Sequence, residues 1–289
     1  MTTYDILDIL HAARQGKYAV GSFSPRYTPM IAPVLAAAQG LRSPLIVQIS
    51  ANEFGWFGIT PAQFAQEYFH QLEKQHITVP VVLHLDHTRE IAVIHEAIEA
   101  GFQSVMIDAS ARPFEENVAM SREVAQYAHA RGVRVEAELG TIGTTDKLET
   151  DNDEELFTKP EEARRFVEET GVDTLAVSVG TAHGVYRVKQ PRVDMDRIRQ
   201  IAALTDIPLV LHGGSGVPAA MMQRAFGHVC KVNIATDLEQ AFLQAIDGQR
   251  MSDEACRALP PALLQRGQDA VRRTVEDKIA HFVLSQNKA

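Results

Sequence analysis

The stretch Val79-Pro80-Val81-Val82-Leu83-His84-Leu85-Asp86-His87 joins an apolar, β-rich run to a cluster of ionisable side chains, and the junction recurs twice downstream. Leu175-Ala176-Val177-Ser178-Val179 leads into Gly180-Thr181-Ala182-His183-Gly184, and Pro208-Leu209-Val210 leads into Leu211-His212-Gly213-Gly214-Ser215-Gly216. Three histidines delivered to the ends of three apolar runs read as one site assembled from separate strands.

Working outward, similar runs span Tyr18–Phe23, Pro44–Ile49, Val79–Leu85, Ser104–Ile107, Val133–Glu138, Thr174–Val179, Pro208–Leu211 and Val229–Ile234. Between them lie stretches with helical periodicity: Glu90–Ala100, Glu115–Arg131, Pro160–Thr170, Asp194–Leu204 and Ala219–Phe226. Glycine follows two of these helices, at Gly101 and Gly171, as a helix stop. Strict alternation implies parallel strands with right-handed crossovers. Eight apolar runs, buried on both faces, close into a (β/α)8 TIM barrel. A doubly wound open sheet is the alternative. It gathers its ligands at one switch point, whereas here nearly every run ends in polar residues.

With 289 residues, 45% of them hydrophobic and 22% charged, the chain fits a single barrel domain over 1–289. From about residue 237 onward it reads as an all-helical tail. The acidic stretch Asp146–Glu155 reads as a loop over the barrel mouth. A net charge of −9 and a pI near 5.7 exclude broad nucleic-acid or anionic-membrane binding, which needs a basic surface. A small anion remains open as a ligand. Two cysteines, Cys230 and Cys256, support neither a disulfide framework nor a cysteine-rich zinc cluster, and point to a reducing cytoplasm. No apolar run reaches membrane-spanning length and no targeting segment is evident at Met1–Gln15, so a soluble protein is expected.

Imidazole suits zinc, and a catalytic zinc keeps three protein ligands and one open position. His87, His183 and His212, at the ends of the third, sixth and seventh strands, meet that requirement on one barrel face. Asp86 beside such an ion is placed for proton transfer. Asp108 and Glu138 are either partners that orient a histidine or alternative metal positions, and Glu136 shares the parity of Glu138. His84 sits deeper and reads as a buried histidine satisfied by backbone; Cys230 reads as a small core residue. Gly213, Gly214 and Ser215 form a strand-to-helix turn whose N–H groups can approach an anion. Asn233, Ile234, Ala235 and Thr236 end the eighth strand. Loops after strands seven and eight are where barrels commonly hold phosphate.

The segments His84-Leu85-Asp86-His87, Gly180–Gly184, Leu211–Gly216, Val135–Gly140 and Lys231–Leu238 together resemble the zinc-dependent class II aldolases, nearest to the fructose- and tagatose-1,6-bisphosphate branches. The resemblance implies Asp86 as proton carrier and His87, His183 and His212 as zinc ligands. It further implies dihydroxyacetone phosphate at Gly184, Gly213–Ser215 and Asn233–Thr236, a monovalent cation (Na+ or K+) near the phosphate turn, and a homodimer or homotetramer. Zinc would stabilise the enediolate formed when the carbon–carbon bond of a sugar phosphate breaks. Gln48 and Ser50 match a substrate-side pattern of the family. Ala235 replaces the aspartate common in fructose-type enzymes and leans toward the tagatose type.

Departures are as informative. The family's C-terminal Asp-Pro-Arg, which reaches a second phosphate, is here Leu259-Pro260-Pro261, which removes a bidentate anion clamp. Phe23-Ser24-Pro25-Arg26 replaces a Phe-Asn pattern, and the loop glutamate that moves protons has only Asp146 and Glu149 as candidates. Arg26 or Arg112 is a candidate anchor for the aldehyde half, the alternative for each being a surface arginine.

A Schiff-base aldolase needs a lysine inside the barrel. The sixth strand has none, and Lys231, near the start of the eighth, reads as structural. Two readings of other classes stay open: a non-catalytic accessory barrel subunit of an aldolase complex, and a metal-dependent hydrolase.

Overall fold

A computed structural model describes residues 4–142, 156–182 and 193–289. Eight parallel strands close into a barrel in chain order: β1 Val20–Phe23, β2 Leu45–Ser50, β3 Val81–Thr88, β4 Ser104–Ile107, β5 Arg134–Leu139, β6 Thr174–Val177, β7 Leu209–Leu211 and β8 Val229–Ile234. Closure is made by β1 pairing with both β2 and β8. The fold is the (β/α)8 barrel expected from the sequence, with added C-terminal helices.

The helices are α1 Ile6–Gly16, α2 Ile31–Gly40, α3 Ala51–Phe57, α4 Pro61–Lys74, α5 Ile91–Glu99, α6 Phe114–His129, α7 Pro160–Thr170, α8 Met195–Leu204, α9 Ala219–Gln223, α10 Thr236–Ala245, α11 Asp253–Arg257 and α12 Pro261–Asp277, the last continued by a π turn over Lys278–Phe282. Among the described residues no helix is long and apolar enough to cross a membrane. The Leu259-Pro260-Pro261 segment makes the corner between α11 and α12, with Pro261 in the first turn of α12, where its missing N–H costs nothing. Val271 and Val275 of α12 are buried in the same cluster as Phe242 of α10.

The apolar core divides. Outward-facing strand residues such as Val47, Leu83, Val105, Val135 and Leu175 pack under the helix layer. A second cluster closes the N-terminal end of the barrel: Ile6, Ile9, Leu10 and Ala13 of α1 meet Val20, Ile46, Val82 and Cys230. Burying each large aliphatic side chain there contributes about 1.5–3 kcal/mol. The plug is held in place by Asp5, whose carboxylate accepts from Leu7 N at 2.9 Å and caps α1.

Above this plug the barrel interior is polar. β8 is bonded to β1 and β7, so the contacts of Lys231 with His84 on β3 and Glu136 on β5 must cross the lumen. His84, Glu136, Lys231 and His212 have no exposed surface, and their side chains fill the barrel between the plug and the mouth.

Candidate active site

Strand β3 carries two neighbouring residues, Asp86 and His87, whose side chains would point to opposite faces of a regular strand. Both nevertheless meet the site, because the β3–β4 register slips between Leu85 and Thr88 and His87 takes a left-handed φ of 25°. This bulge turns the His87 ring inward beside Asp86. The rings of His87 and His212 meet edge to face with centroids 4.5 Å apart. His212 directly follows β7, so two strands from separate parts of the wall bring their imidazoles together at the C-terminal mouth.

The Asp86 carboxylate is fixed at both oxygens. Asn233 Nδ2 donates to Oδ1 at 2.9 Å and Gln48 Nε2 donates to Oδ2 at 3.1 Å. Gln48 is itself anchored: Ser22 Oγ donates to its Oε1, and its Nε2 also donates to Ser24 Oγ at 3.1 Å. Burial alone raises the pKa of Asp86, but the positive field of His87, His212 and Lys231 outweighs it and holds the carboxyl below its ordinary range. Asp86 is therefore an ionised, oriented base with a lone pair left on each oxygen. Ser50 pairs in register with Asp86 and accepts from the first turn of α3 as part of a capping box with Glu53.

Each metal-type imidazole is oriented from behind. Asp108 Oδ2 lies 3.2 Å from His87 Nδ1, and the single O–H of Ser110 is shared between two carboxylates, its Oγ lying 2.8 Å from Asp108 Oδ1 and 3.0 Å from Glu138 Oε1. Burial pushes Asp108 up, yet the His87 hydrogen bond and charge carry it well below the carboxylate range. His212 Nε2 lies 3.0 Å from Glu136 Oε1, and its Nδ1 is 3.4 Å from Glu138 Oε2. Burial lowers the His212 pKa, but Glu136 and Glu138 more than reverse that and raise it, whereas burial and the Lys231 charge push His84 down to about 3. Two buried imidazoles in one lumen are thus driven in opposite directions by their neighbours.

Among the described residues, three sets of donors lie close enough to share an ion: Asp86, His87 and His212; His87, Asp108 and Glu138; and His84, Asp86 and Glu136, each with its ligand atoms within 4.8 Å of one another. The first two offer imidazole and carboxylate at the mouth, a donor set suited to zinc and similar divalent ions. In the deepest set Glu136 and His84 are already bonded to the Lys231 ammonium. His183 and Gly184 lie outside the described residues, as do Asp146 and Glu149. Ala182, just before His183, rests against Gly213: a Cβ on Gly213 would lie 2.7 Å from the Ala182 carbonyl carbon and closer still to its oxygen.

That contact revises the reading of the glycine turn. Gly213 has φ +68°, and a Cβ on Gly214 would meet Val232 Cγ1 at 2.5 Å and Asn233 O at 2.9 Å. Both glycines are required by backbone packing, whatever ligand they serve. Gly214 N donates to Asn233 O at 3.0 Å, and Asp237 N donates to Ser215 Oγ at 3.3 Å, stitching the loop after β7 to the loop after β8. Ile234 ends β8, Ala235 precedes α10 and Thr236 opens it, so the N-terminus of α10 lies beside the Ser215 turn.

Arg26, one of the two candidate anchors, is not a free surface arginine. It is largely buried at φ +65°, with Nε 3.0 Å from Glu53 Oε1 and Nη1 paired to Glu239, which Arg250 also grips at 2.7 and 2.9 Å. Arg112 is exposed, its Nη1 3.9 Å from Glu116 Oε2. His84 departs from its expected role: among the described residues its hydrogen-bond partners are side chains, Ser104 Oγ at 2.9 Å and Lys231 Nζ at 3.3 Å, rather than backbone groups. Lys231, expected to be structural near the strand's start, is bonded across the lumen to Glu136 and His84. A lysine inside the apolar run Val229–Ile234 was the available signal, but its partner Glu136 is 95 residues away.

The chain is an aldolase, a lyase acting on carbon–carbon bonds. It belongs to the class II fructose-bisphosphate aldolase family, whose model matches residues 4–288. A fructose-bisphosphate aldolase of Geobacillus stearothermophilus is 38% identical over 285 residues, 98% of this chain and 97% of that one. The YdjI aldolase of Escherichia coli K12 superposes with a TM-score of 0.84 at 31% identity, covering 100% of both chains. A putative fructose-1,6-bisphosphate aldolase of Coccidioides immitis superposes at 0.83 with 26% identity and 98% coverage of each. The family is metal-dependent, which agrees with the donor groups at the mouth.

Proposed function

We propose that this chain is a zinc-dependent aldolase that cleaves a ketose 1-phosphate or ketose bisphosphate reversibly to dihydroxyacetone phosphate and an aldehyde. The observation that carries the reading is the Asp86 carboxylate, buried, gripped by Gln48 and Asn233, and set against the paired rings of His87 and His212. His87 and His212, with His183, hold the ion. When bound, it supplies Lewis acidity to the ketone and hydroxyl oxygens of the donor half. Asp86 takes the proton of the hydroxyl whose carbon becomes the aldehyde, and returns it in condensation. Asn233 and Gln48 keep the carboxylate from turning away between the two steps. The donor phosphate lies at Gly184, the Gly213–Ser215 turn and the Asn233–Thr236 segment, where the α10 N-terminus favours negative charge.

With Ala235 in that segment, a tagatose-type configuration is favoured over the fructose type. The proline corner at Leu259-Pro260-Pro261 leaves the aldehyde half without the family's second-phosphate clamp. Arg26, already paired to two carboxylates, can anchor that half only by exchanging partners; Arg112 is unhindered. The remaining expectations stand with this proposal: one domain over 1–289, a cytoplasmic homodimer or homotetramer, and a monovalent cation at the phosphate turn.

The test is dihydroxyacetone phosphate release from a panel of tagatose 1,6-bisphosphate, fructose 1,6-bisphosphate and acid-terminated ketose phosphates, with and without chelator. Release that is abolished by chelator and restored by zinc is expected. Turnover insensitive to chelator, or none across the panel from zinc-replete protein, overturns the reading. Unchanged Michaelis constants in both Arg26→Ala and Arg112→Ala remove the arginine anchor.

A further inference from the structure

We infer that Lys231 is a positioning residue for the His212 imidazole, acting through Glu136 from beneath the site. The inference rests on the reading of His212 as a metal ligand and adds what holds that ligand in place.

Five side chains from five strands form one chain of contacts across the lumen: Ser104 on β4, His84 on β3, Lys231 on β8, Glu136 on β5 and His212 after β7. An ammonium has three donors, and all three are used: Lys231 Nζ donates to Glu136 Oε1 at 3.0 Å and Oε2 at 2.9 Å, and to His84 Nε2 at 3.3 Å. A carboxylate has about four acceptor sites. Glu136 fills them with Lys231 on both oxygens, His212 Nε2 on Oε1 at 3.0 Å, and Thr174 Oγ1 on Oε2 at 3.3 Å. His84 accepts at Nε2, so its Nδ1–H donates to Ser104 Oγ. Neither the ammonium nor the carboxylate can rotate without breaking a buried hydrogen bond.

The consequence falls on His212. Its Nε2–H is committed to Glu136 Oε1, so Nδ1 is the nitrogen turned toward Glu138 and the mouth. A ring flip would strip the carboxylate of one partner. Stability alone does not explain such a pair, because well-packed apolar residues commonly replace a buried ion pair at no cost or with a gain. What an apolar pair cannot do is hold an imidazole in one tautomer and one orientation. Lys231 also takes the cation position between Glu136 and His84, which leaves the ion its place at the mouth.

The test is zinc binding by the full-length apo-protein, measured by competition with a chromophoric chelator. Lys231→Met frees the Glu136 carboxylate to turn, and zinc affinity is expected to fall about 10–100-fold. In Lys231→Met/Glu136→Gln the amide oxygen again accepts from His212 while the amide N–H₂ faces Thr174, and most of the lost affinity returns. Because the single variant removes a buried charge and puts folding at risk, the zinc-loaded wild-type protein with ¹⁵N-labelled histidine provides an independent reading: the His212 proton is expected on Nε2 and the metal on Nδ1. Unchanged zinc affinity in Lys231→Met, or a His212 proton on Nδ1, overturns the inference. Zinc binding that survives His212→Ala defeats the functional reading and this inference with it; zinc binding lost in His212→Ala yet intact in Lys231→Met defeats the inference alone.

Discussion

Replacing Gly213 by alanine separates two reasons for a glycine beside a histidine of the site. At φ +68° any L side chain carries left-handed strain of about 1–2 kcal/mol. The added Cβ would also lie 2.7 Å from the Ala182 carbonyl carbon and 3.2 Å from Ala182 N, backbone atoms that can yield only by displacing the segment leading to His183. Overpacking of that kind costs about 1–3 kcal/mol more. Gly171 is the internal control: its φ of +70° is nearly the same, but nothing lies within 4 Å of a Cβ built there. Gly171→Ala should therefore lose only the strain, and Gly213→Ala about 2–5 kcal/mol in all. At about 2–4 °C per kcal/mol for large single domains, the Gly213 variant melts roughly 4–20 °C below the parent and the Gly171 variant roughly 2–8 °C below. Urea midpoints at constant m-value check the same difference. Equal losses in the two variants would refute the close approach to Ala182 as the reason for Gly213.

Three further outcomes are expected. Asp86→Asn should lower kcat by about 10²–10⁴ while zinc stoichiometry is unchanged; a variant retaining near-parental kcat removes Asp86 from proton transfer. Asp108→Asn, which exchanges the carboxylate behind His87 for an amide, should weaken zinc binding about 10–100-fold in a chelator competition, and parental affinity would dismiss Asp108 as an orienting group. For Glu239, burial raises the pKa, but hydrogen bonds from Arg250 and the charge of Arg26 outweigh it and lower it below 4.5. A depressed carboxylate pKa contributes stability above the unfolded value that is lost as pH falls through the folded one. Glu239→Gln should thus be less stable than the parent at neutral pH by about 1.5–3 kcal/mol, with the gap closing in acid; a gap constant with pH denies the ion pair its role.

The barrel was legible because its signals are local. Each strand is a short apolar run, and the observed bounds differ from the expected ones by two residues or fewer at nearly every end, as with Val229–Ile234. Asp86, His87 and His212 were legible for the same reason: each closes such a run, and parallel strands bring those ends to one mouth. The interior was not. The partners of Lys231 are 95 and 147 residues away, at Glu136 and His84, and no periodicity records a contact across a lumen. The plug formed by α1 was missed because Ile6, Ile9, Leu10 and Ala13 look like any amphipathic helix until the barrel end supplies its partner. The burial of Arg26 was not legible either, since its carboxylate partners come from α3 and α10.

The bulge at His87 has a mechanical corollary. Because the base and a metal-type imidazole are adjacent on one strand, any breathing of the barrel wall carries them as a single body, and the spacing between them is insulated from sliding of β3 against its neighbours. The same coupling limits redesign. A substitution that repositions Asp86 drags His87 with it, so the parts of the mouth built from other strands and loops are the ones free to diverge.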